Sequence, residues 1–309
     1  MIISKLTASE SNSLYYYLKP EMINVQETVN LFIEQLKAEG KSNSTLLAYG
    51  KDIEQFIKLL NKIHLDNLEE LSEEHINLFL ESLEGENYTP KSISRKLNSI
   101  RTFCKIMNKN GSMTNNPSNI VAHPKIESKE PRVLTELEYR ALRDVCRRDQ
   151  RLYTIVELML QTGIRIGELA RLKLQEIDIK NGKGTIHIRP YGSNAERQIP
   201  LNSTAIRAIK DYLEERYKTE NDSVFVTKTG RPLLVRNIRT AINRAFKKAG
   251  IENVKVNDLR NTFIAHNLAK GVDIVKISNI VGHKRISTTE KYLDLIKGDE
   301  QNNTKLEEL

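Results

Sequence analysis

The sequence predicts a mainly α-helical protein with one small antiparallel β-sheet, divided into two domains. Apolar residues recur at three- and four-residue spacing through most of the 309 residues, which is the pattern of amphipathic helices. Three short β-branched runs interrupt this pattern in the second half of the chain. A proline-containing break near the middle separates two helical regions, and the chain length suits two domains.

Composition favours a nucleic-acid partner over a membrane or a metal. The net charge of +8 favours a polyanion. The sequence has neither an uncharged apolar run that could span a bilayer nor a signal segment at Met1, so we expect a cytoplasmic protein. Cys104 and Cys146 lie in apolar helical patterns, where buried reduced thiols are expected. Metal-binding and nucleotide-binding motifs are missing from the sequence, so we expect no metal and no other cofactor.

The first half of the chain predicts an irregular arm and then a helical domain. Residues 1–23 have weak periodicity and form the predicted arm. The predicted first domain, residues 24–116, contains four helical patterns, which begin at Asn24, Ser44, Ser72 and Pro90.

The helix predicted from Pro90 to Asn108 has one polar face without acidic residues. Its apolar stripe contains Leu97, Ile100, Cys104 and Met107. At about 100° per residue, the opposite face collects Lys91, Ser94, Arg95, Asn98, Thr102, Lys105 and Lys109. A solvated helix face is the alternative interpretation. Because solvated faces usually mix both signs of charge, the absence of Asp and Glu favours contact with a phosphate backbone.

The second half of the chain predicts a linker, an α+β domain and a polar tail. Three prolines among polar residues make 117–132 an extended linker, and Thr135 with Glu138 suits a capping box at the start of the second domain, residues 133–295. A β-meander is predicted from the runs 177–179, 185–188 and 197–201. Later helices are predicted at 203–218, 235–249, 256–270, 273–281 and 288–295, followed by the tail 296–309.

Four polar residues of the second domain suit attack on a phosphodiester: Arg165, Arg260, His283 and Tyr292. Phosphoryl transfer requires neutralisation of the non-bridging oxygens, and the planar fork of arginine binds phosphate at two places. The histidine can donate a further hydrogen bond. A phenol is only about one part in a thousand ionised at neutral pH, so nearby arginines would favour the phenolate. Attack by Tyr292 would leave a covalent phosphotyrosine, so religation would need neither ATP nor metal.

Motifs around these residues resemble the tyrosine recombinases, or phage integrase family, especially its compact Xer-like members. Thr162–Leu169 resembles the family's first-arginine box and Asp258–Phe263 its second. The closing box is matched by Gly282-His283, with Tyr292 nine residues after the histidine. Ser44–Phe56 resembles the core-binding domain and adds Thr45 to the candidate DNA contacts.

The resemblance implies a two-domain clamp around double-stranded DNA, made of an α-helical core-binding domain and an α+β catalytic domain. Arg165 and Arg260 would hold the scissile phosphate, His283 would assist, and Tyr292 would form a 3′-phosphotyrosine. Four protomers would act on two sites in two strand-exchange steps. The tail after residue 295 would dock on a neighbouring protomer.

Two positions depart from the family pattern. The family's histidine three residues before the second arginine is Asn257, which can form hydrogen bonds but cannot act as a general base at neutral pH. The family's hairpin lysine, which would protonate the leaving 5′ oxygen, is missing from Arg189–Asn194. Lys183 is the candidate replacement because arginine is a poor acid. Glu168 is expected to be a structural acid near Arg165.

Three functions remain open on the sequence. The first is a site-specific recombinase that cuts and rejoins DNA for integration, excision or resolution. The second is a DNA-binding protein of the same fold without cleavage activity, which Asn257 and the missing hairpin lysine support. The third is a type IB topoisomerase, which would relax supercoiled plasmid without a cognate site. The presence of both arginines, the histidine and the tyrosine favours the recombinase.

Overall fold

The computed structural model of the chain describes residues 24–295 with four exceptions, which are Asp66, Ser128, Lys129 and Ser193. The predicted arm, 1–23, and the predicted tail, 296–309, lie outside the described residues. The chain divides into two compact units between residues 128 and 129. Part of the predicted linker is folded onto the first unit, because Pro117–Asn119 forms a short 3₁₀ turn and Val121 is buried in that unit's core.

The first unit is a helical bundle around an aromatic core. Its helices are α1 (Val25–Ala38), α2 (Asn43–Lys62), α3 (Glu73–Gly85) and α4 (Pro90–Lys109). Each begins at a polar N-cap residue, namely Asn24, Ser42, Ser72 and Thr89. The rings of Phe32 and Phe103 meet edge to face, with centroids 5.6 Å apart. The predicted apolar stripe of α4 is confirmed, because all four of its residues are buried.

A buried carboxylate joins α2 to α4. Asp52, only 2% exposed, accepts hydrogen bonds from Lys96 Nζ at 3.0 Å and Ser99 Oγ at 2.7 Å. Arg95 binds the same carboxylate with both terminal nitrogens. Because a buried charge is costly unless it is paired, these donors hold α2 and α4 in one register.

The second unit packs helices around a three-stranded sheet. Its helices are α5 (Glu136–Cys146), α6 (Gln150–Thr162), α7 (Ile166–Arg171), α8 (Ser203–Glu215), α9 (Val235–Lys248), α10 (Val256–Ala269), α11 (Ile274–Val281) and α12 (Ser287–Glu290). The strands are β1 (Ile177–Lys180), β2 (Lys183–Ile188) and β3 (Arg197–Leu201). They pair antiparallel in the order β1-β2-β3, so the predicted meander is confirmed. The Thr135–Glu138 capping box is confirmed as well.

The last predicted helix, 288–295, was wrong in its continuity. The helix containing Thr288 ends at Glu290, Lys291 and Tyr292 form a turn, and residues 293–295 are helical again. Tyr292 N–H donates to Thr289 O at 3.1 Å, three residues back, so the ladder tightens and the α-helix ends.

The cysteine prediction is confirmed. Cys104 and Cys146 are free and buried, and burial raises the pKa of each thiol to about 12. Among the described residues, none of the helices combines the length and the apolar character that crossing a membrane requires.

Candidate active site

The turn between α6 and α7 positions Arg165. Helix α6 ends at Gly163, whose φ of +62° is left-handed, and an added Cβ would lie 2.5 Å from Phe263 Cδ1. Arg165 is then the N-cap of α7. Its N–H donates to Glu168 Oε2 at 3.0 Å, and its Nη1 donates to Glu168 Oε1 at 2.9 Å. The predicted structural acid therefore contacts both the backbone and the side chain of Arg165.

Arg260 lies on α10, and its side chain is directed at two backbone carbonyls. It is only 4% exposed, and its Nη1 donates to Gly163 O at 2.5 Å. Burial and then the charge of Arg165 lower the pKa of Arg260 to about 9. The guanidinium therefore remains charged at neutral pH. It carries more N–H donors than these contacts use, so donors remain for a phosphate.

The end of α11 presents three consecutive carbonyl oxygens, here called the carbonyl row, and each accepts from a different arginine. The pairs are Ile280 O with Arg197 Nε at 2.8 Å, Val281 O with Arg260 Nη2 at 2.6 Å, and Gly282 O with Arg165 Nη2 at 2.6 Å. The last carbonyls of a helix have no partner within the helix and carry its negative dipole end. The carbonyl row therefore gathers three guanidinium groups in one place.

Arg197 is a member of this cluster that sequence reasoning missed. It opens β3, and its two terminal nitrogens donate to Glu168 Oε1 at 2.9 Å and Oε2 at 2.7 Å. In the sequence it is one arginine within a β-branched run. Only the pairing of β3 with β2 and its contact with α11 bring Arg197 to Glu168, and neither is visible in local periodicity.

His283 follows α11 directly and is neutral at physiological pH. Its Nδ1 lies 2.8 Å from Thr289 Oγ1. Burial, and then the positive charges of Arg260, Arg165 and Arg197, lower the pKa of His283 to about 4. A neutral imidazole carries one N–H donor. When the Thr289 hydroxyl donates to Nδ1, that donor is Nε2–H, and the ring can present it to a phosphate oxygen without adding charge.

The hydroxyl of Tyr292 is held by Asn261, which sequence reasoning also missed. Tyr292 is 6% exposed and donates to Asn261 Oδ1 at 2.8 Å. Asn257 Nδ2 donates to the same oxygen at 3.1 Å, and Asn261 Nδ2 donates to Asp258 Oδ1 at 3.0 Å. Burial raises the pKa of Tyr292, and Asp258 raises it further, whereas Arg260 opposes them. The phenol is therefore neutral in this structure.

The structure does not bring Lys183 to this cluster. It is the first residue of β2 and pairs across a tight turn with Lys180, whereas Ile188 at the other end of β2 pairs with Arg197. Five strand steps separate the two ends, which is roughly 17 Å. Arg189 is bound to Glu176 at 2.6 Å. The cluster thus contains Arg165, Arg260, His283 and Arg197, and Asn257 is linked to Tyr292 through Asn261.

Both units match sequence models of known protein families. The sequence model of the phage integrase family matches residues 132–298. The chain belongs to this family. The first unit also matches the phage integrase N-terminal SAM-like domain, over residues 29–111. Phage integrase family members, the tyrosine recombinases, break and rejoin DNA.

Relatives of known name align with most of this chain. The tyrosine recombinase XerC of Bacillus pumilus is 31% identical over 290 residues, which span 89% of this chain and 94% of that protein. The XerC of Staphylococcus epidermidis is 32% identical over 281 residues, spanning 88% and 92%.

Solved structures share the fold of this chain. A XerH site-specific recombinase bound to palindromic difH substrate is 20% identical, with a TM-score of 0.70 over 84% of this chain and 79% of that chain. A lambda integrase dimer bound to a COC′ core site is 18% identical, with a TM-score of 0.70 over 86% and 94%.

Two helix faces of the chain carry positive charge without acids. The predicted face of α4 is exposed or half-buried throughout, although Arg95 is bound to Asp52 and Ser94 Oγ lies 3.0 Å from His123 Nδ1. Thr45 on α2 is half-buried and lies 2.9 Å from Ser42 Oγ. The second face, on α9, was missed by sequence reasoning, although the same pattern is visible there. It consists of the exposed residues Arg236, Arg239, Asn243, Arg244, Lys247 and Lys248.

Proposed function

We propose that this chain is a site-specific recombinase that cuts and rejoins double-stranded DNA through a 3′-phosphotyrosine on Tyr292. The carbonyl row carries the proposal, because it holds Arg165 and Arg260 in one place and ends beside His283. Two fixed guanidinium groups and a neutral imidazole N–H suit the non-bridging oxygens of a phosphodiester. The Xer-like relatives support the same conclusion.

The cleavage step exchanges one phosphodiester for another. The oxygen of Tyr292 attacks phosphorus, the bond to the 5′ oxygen breaks, and the tyrosine proton leaves the phenol while the departing 5′ oxygen gains one. Attack by a 5′ hydroxyl on the phosphotyrosine reverses the step and rejoins a strand. The hydroxyl of Tyr292 must give up its hydrogen bond to Asn261 as it approaches phosphorus. Lys183 stays a proposal as the proton donor, and it requires the β1–β2 turn to approach the leaving oxygen.

DNA recognition is proposed for the acid-free faces of both units. On α4 it uses Lys91, Ser94, Arg95, Asn98, Thr102 and Lys105. On α2 it uses Thr45, which lies in the first turn of that helix. On α9 it uses Arg236, Arg239 and Arg244. Cations on an exposed helix face neutralise backbone phosphates and release counterions, so affinity falls steeply with salt.

We propose that four protomers act on two DNA sites and that the tail 296–309 docks on a neighbouring protomer. We infer a cytoplasmic location because the substrate is DNA. Removal of residues 296–309 is expected to leave binding of one half-site unchanged and to abolish cooperative binding of a second protomer in a gel-shift titration. Unchanged cooperativity would show that the tail does not mediate assembly.

The decisive experiment begins by selecting a DNA site from a randomised duplex pool with the Tyr292→Phe protein. Duplexes of the selected site, each nicked at a different position, are then incubated with wild-type protein or the variant in EDTA. We expect an adduct that survives denaturant with wild type alone, and its tryptic peptide should contain Tyr292. Binding of the selected site without adduct would leave a DNA-binding protein of the same fold. Relaxation of plasmid lacking the site would indicate a topoisomerase.

A further inference from the structure

Glu168 is a carboxylate saturated with hydrogen bonds. Oε1 accepts from Arg165 Nη1 and Arg197 Nη1, both at 2.9 Å, and Oε2 accepts from Arg197 Nη2 at 2.7 Å and Arg165 N at 3.0 Å. Burial alone would raise the pKa of Glu168, but the hydrogen bonds and charges of Arg197 and Arg165 hold it below the ordinary value. Glu168 is therefore a fixed negative charge beside an arginine that must bind a phosphate.

A negative charge at this position competes with the substrate. A carboxylate and a phosphate both bind the fork of arginine in two places. Without another bidentate partner, Glu168 would therefore bind Arg165 with both oxygens. The bidentate partner of Glu168 is instead Arg197. Arg165 contributes only Nη1 of its side chain to the carboxylate and Nη2 to Gly282 O.

Arg197 is fixed by its surroundings on three sides. Its side chain is 9% exposed, and its Nε donates to Ile280 O at 2.8 Å. It also packs against Gly282, where an added Cβ would lie 3.0 Å from Arg197 Nε and 3.1 Å from its Cζ. The residue therefore connects the start of β3 to the end of α11, one residue before His283.

We propose that Arg197 is a positioning residue, which occupies the bidentate edge of Glu168 and so leaves Arg165 available to the scissile phosphate. The inference rests on the proposed recombinase function. Loss of Arg197 removes one positive charge from the cluster and also frees Glu168 to bind Arg165 with both oxygens. Cleavage then slows, because the phosphate must displace the carboxylate from Arg165.

The test compares four proteins in the suicide-substrate reaction: wild type, Arg197→Gln, Glu168→Gln and the double variant. We expect Arg197→Gln to form adduct about 100-fold more slowly, with affinity for the selected site unchanged within about threefold. The double variant should be at least about tenfold faster than Arg197→Gln, because a neutral amide does not sequester Arg165. Rescue by removal of a second buried group is not expected from a residue that only supports the fold.

Two controls separate the possible outcomes. Circular dichroism and the thermal midpoint check that each variant folds, and Arg197→Lys keeps the charge without the fork, so its rate should lie between those of wild type and Arg197→Gln. Wild-type cleavage together with an unaffected Arg197→Gln protein, or with a double variant no faster than Arg197→Gln, would overturn the inference alone. No adduct from any protein, wild type included, would overturn the proposed function and this inference with it.

Discussion

The phenol O–H of Tyr292 donates a hydrogen bond to Asn261 Oδ1 at 2.8 Å, so the candidate nucleophile is bound to an amide of α10. The same oxygen accepts from Asn257, and the amide nitrogen of Asn261 is held by Asp258. Asn261 is therefore oriented by its neighbours to accept from the tyrosine. In this state Tyr292 is a neutral, buried phenol. Its hydroxyl must break the hydrogen bond to Asn261 before it attacks phosphorus.

The energy of this contact can be measured by a double-mutant cycle of unfolding. Tyr292→Phe should lower the free energy of unfolding by about 1 kcal/mol, because a buried hydrogen bond is lost while Asn261 keeps the donor of Asn257. In the Asn261→Leu background the same substitution should cost much less, since no acceptor remains. Urea unfolding of the four proteins gives the coupling energy. Purely additive effects would show that the hydroxyl does not depend on Asn261.

His283 should make stability depend on pH in a defined window. An unfolded histidine titrates near pH 6.5, and the folded pKa is about 4. The contribution is complete above pH 6.5 and is lost as pH falls towards 4, because only the unfolded chain then takes up the proton. It is on the order of 3 kcal/mol. Urea unfolding of wild type and His283→Gln between pH 4 and 7 should show the smaller slope in the variant. His64→Asn, at an exposed position, is the control, and equal slopes for wild type and His283→Gln would contradict the assignment.

Asn257→His should increase the rate of cleavage. Asn257 is exposed, so the larger ring can be accommodated, and an imidazole can accept the proton that an amide cannot. We expect the adduct to form about tenfold faster or more at pH 7.5, with a new inflection in the rate near pH 6.5. Asn257→Gln keeps an amide and serves as the control. A rate equal to that of wild type would mean that the proton of Tyr292 leaves by a route independent of this position.

The two cationic faces should each contribute to the salt dependence of DNA binding. Six to ten phosphate contacts would weaken binding by roughly three to five decades between 50 and 200 mM salt. Lys105→Ala on α4 and Arg244→Ala on α9 should each lower the slope of log affinity against log salt by about 1. Lys58→Ala is the control, because Lys58 is paired with Glu54 at 2.5 Å. Slopes unchanged in Lys105→Ala and Arg244→Ala would exclude those faces from the interface.

Local pattern was sufficient for most elements of the fold. The stripe of α4 repeats at helical spacing, and all of its predicted residues are buried. The meander was visible because its two turns contain Asn-Gly and Gly-Ser-Asn between β-branched runs. Local pattern failed at α12, where the chain tightens before Tyr292 because of an i−3 backbone hydrogen bond rather than a helix-stopping residue.

The site was only partly predictable for a related reason. Motifs identified Arg165, Arg260, His283 and Tyr292, because each lies in a recognisable segment. Arg197 and Asn261 act through contacts with residues 29 and 31 positions away. Such contacts depend on register and packing. Strand register also separates Lys183 from the arginine cluster.

The carbonyl row has a consequence for how this protein can vary. Its contacts to the arginines are made by main-chain oxygens, so substitutions of the side chains along α11 need not displace any guanidinium. A one-residue insertion or deletion within that helix is a different kind of change, since it rotates the final carbonyls by about 100° and would detach all three arginines together. The length of the helix, more than the identity of its side chains, is therefore expected to be constrained in homologous proteins that keep this site.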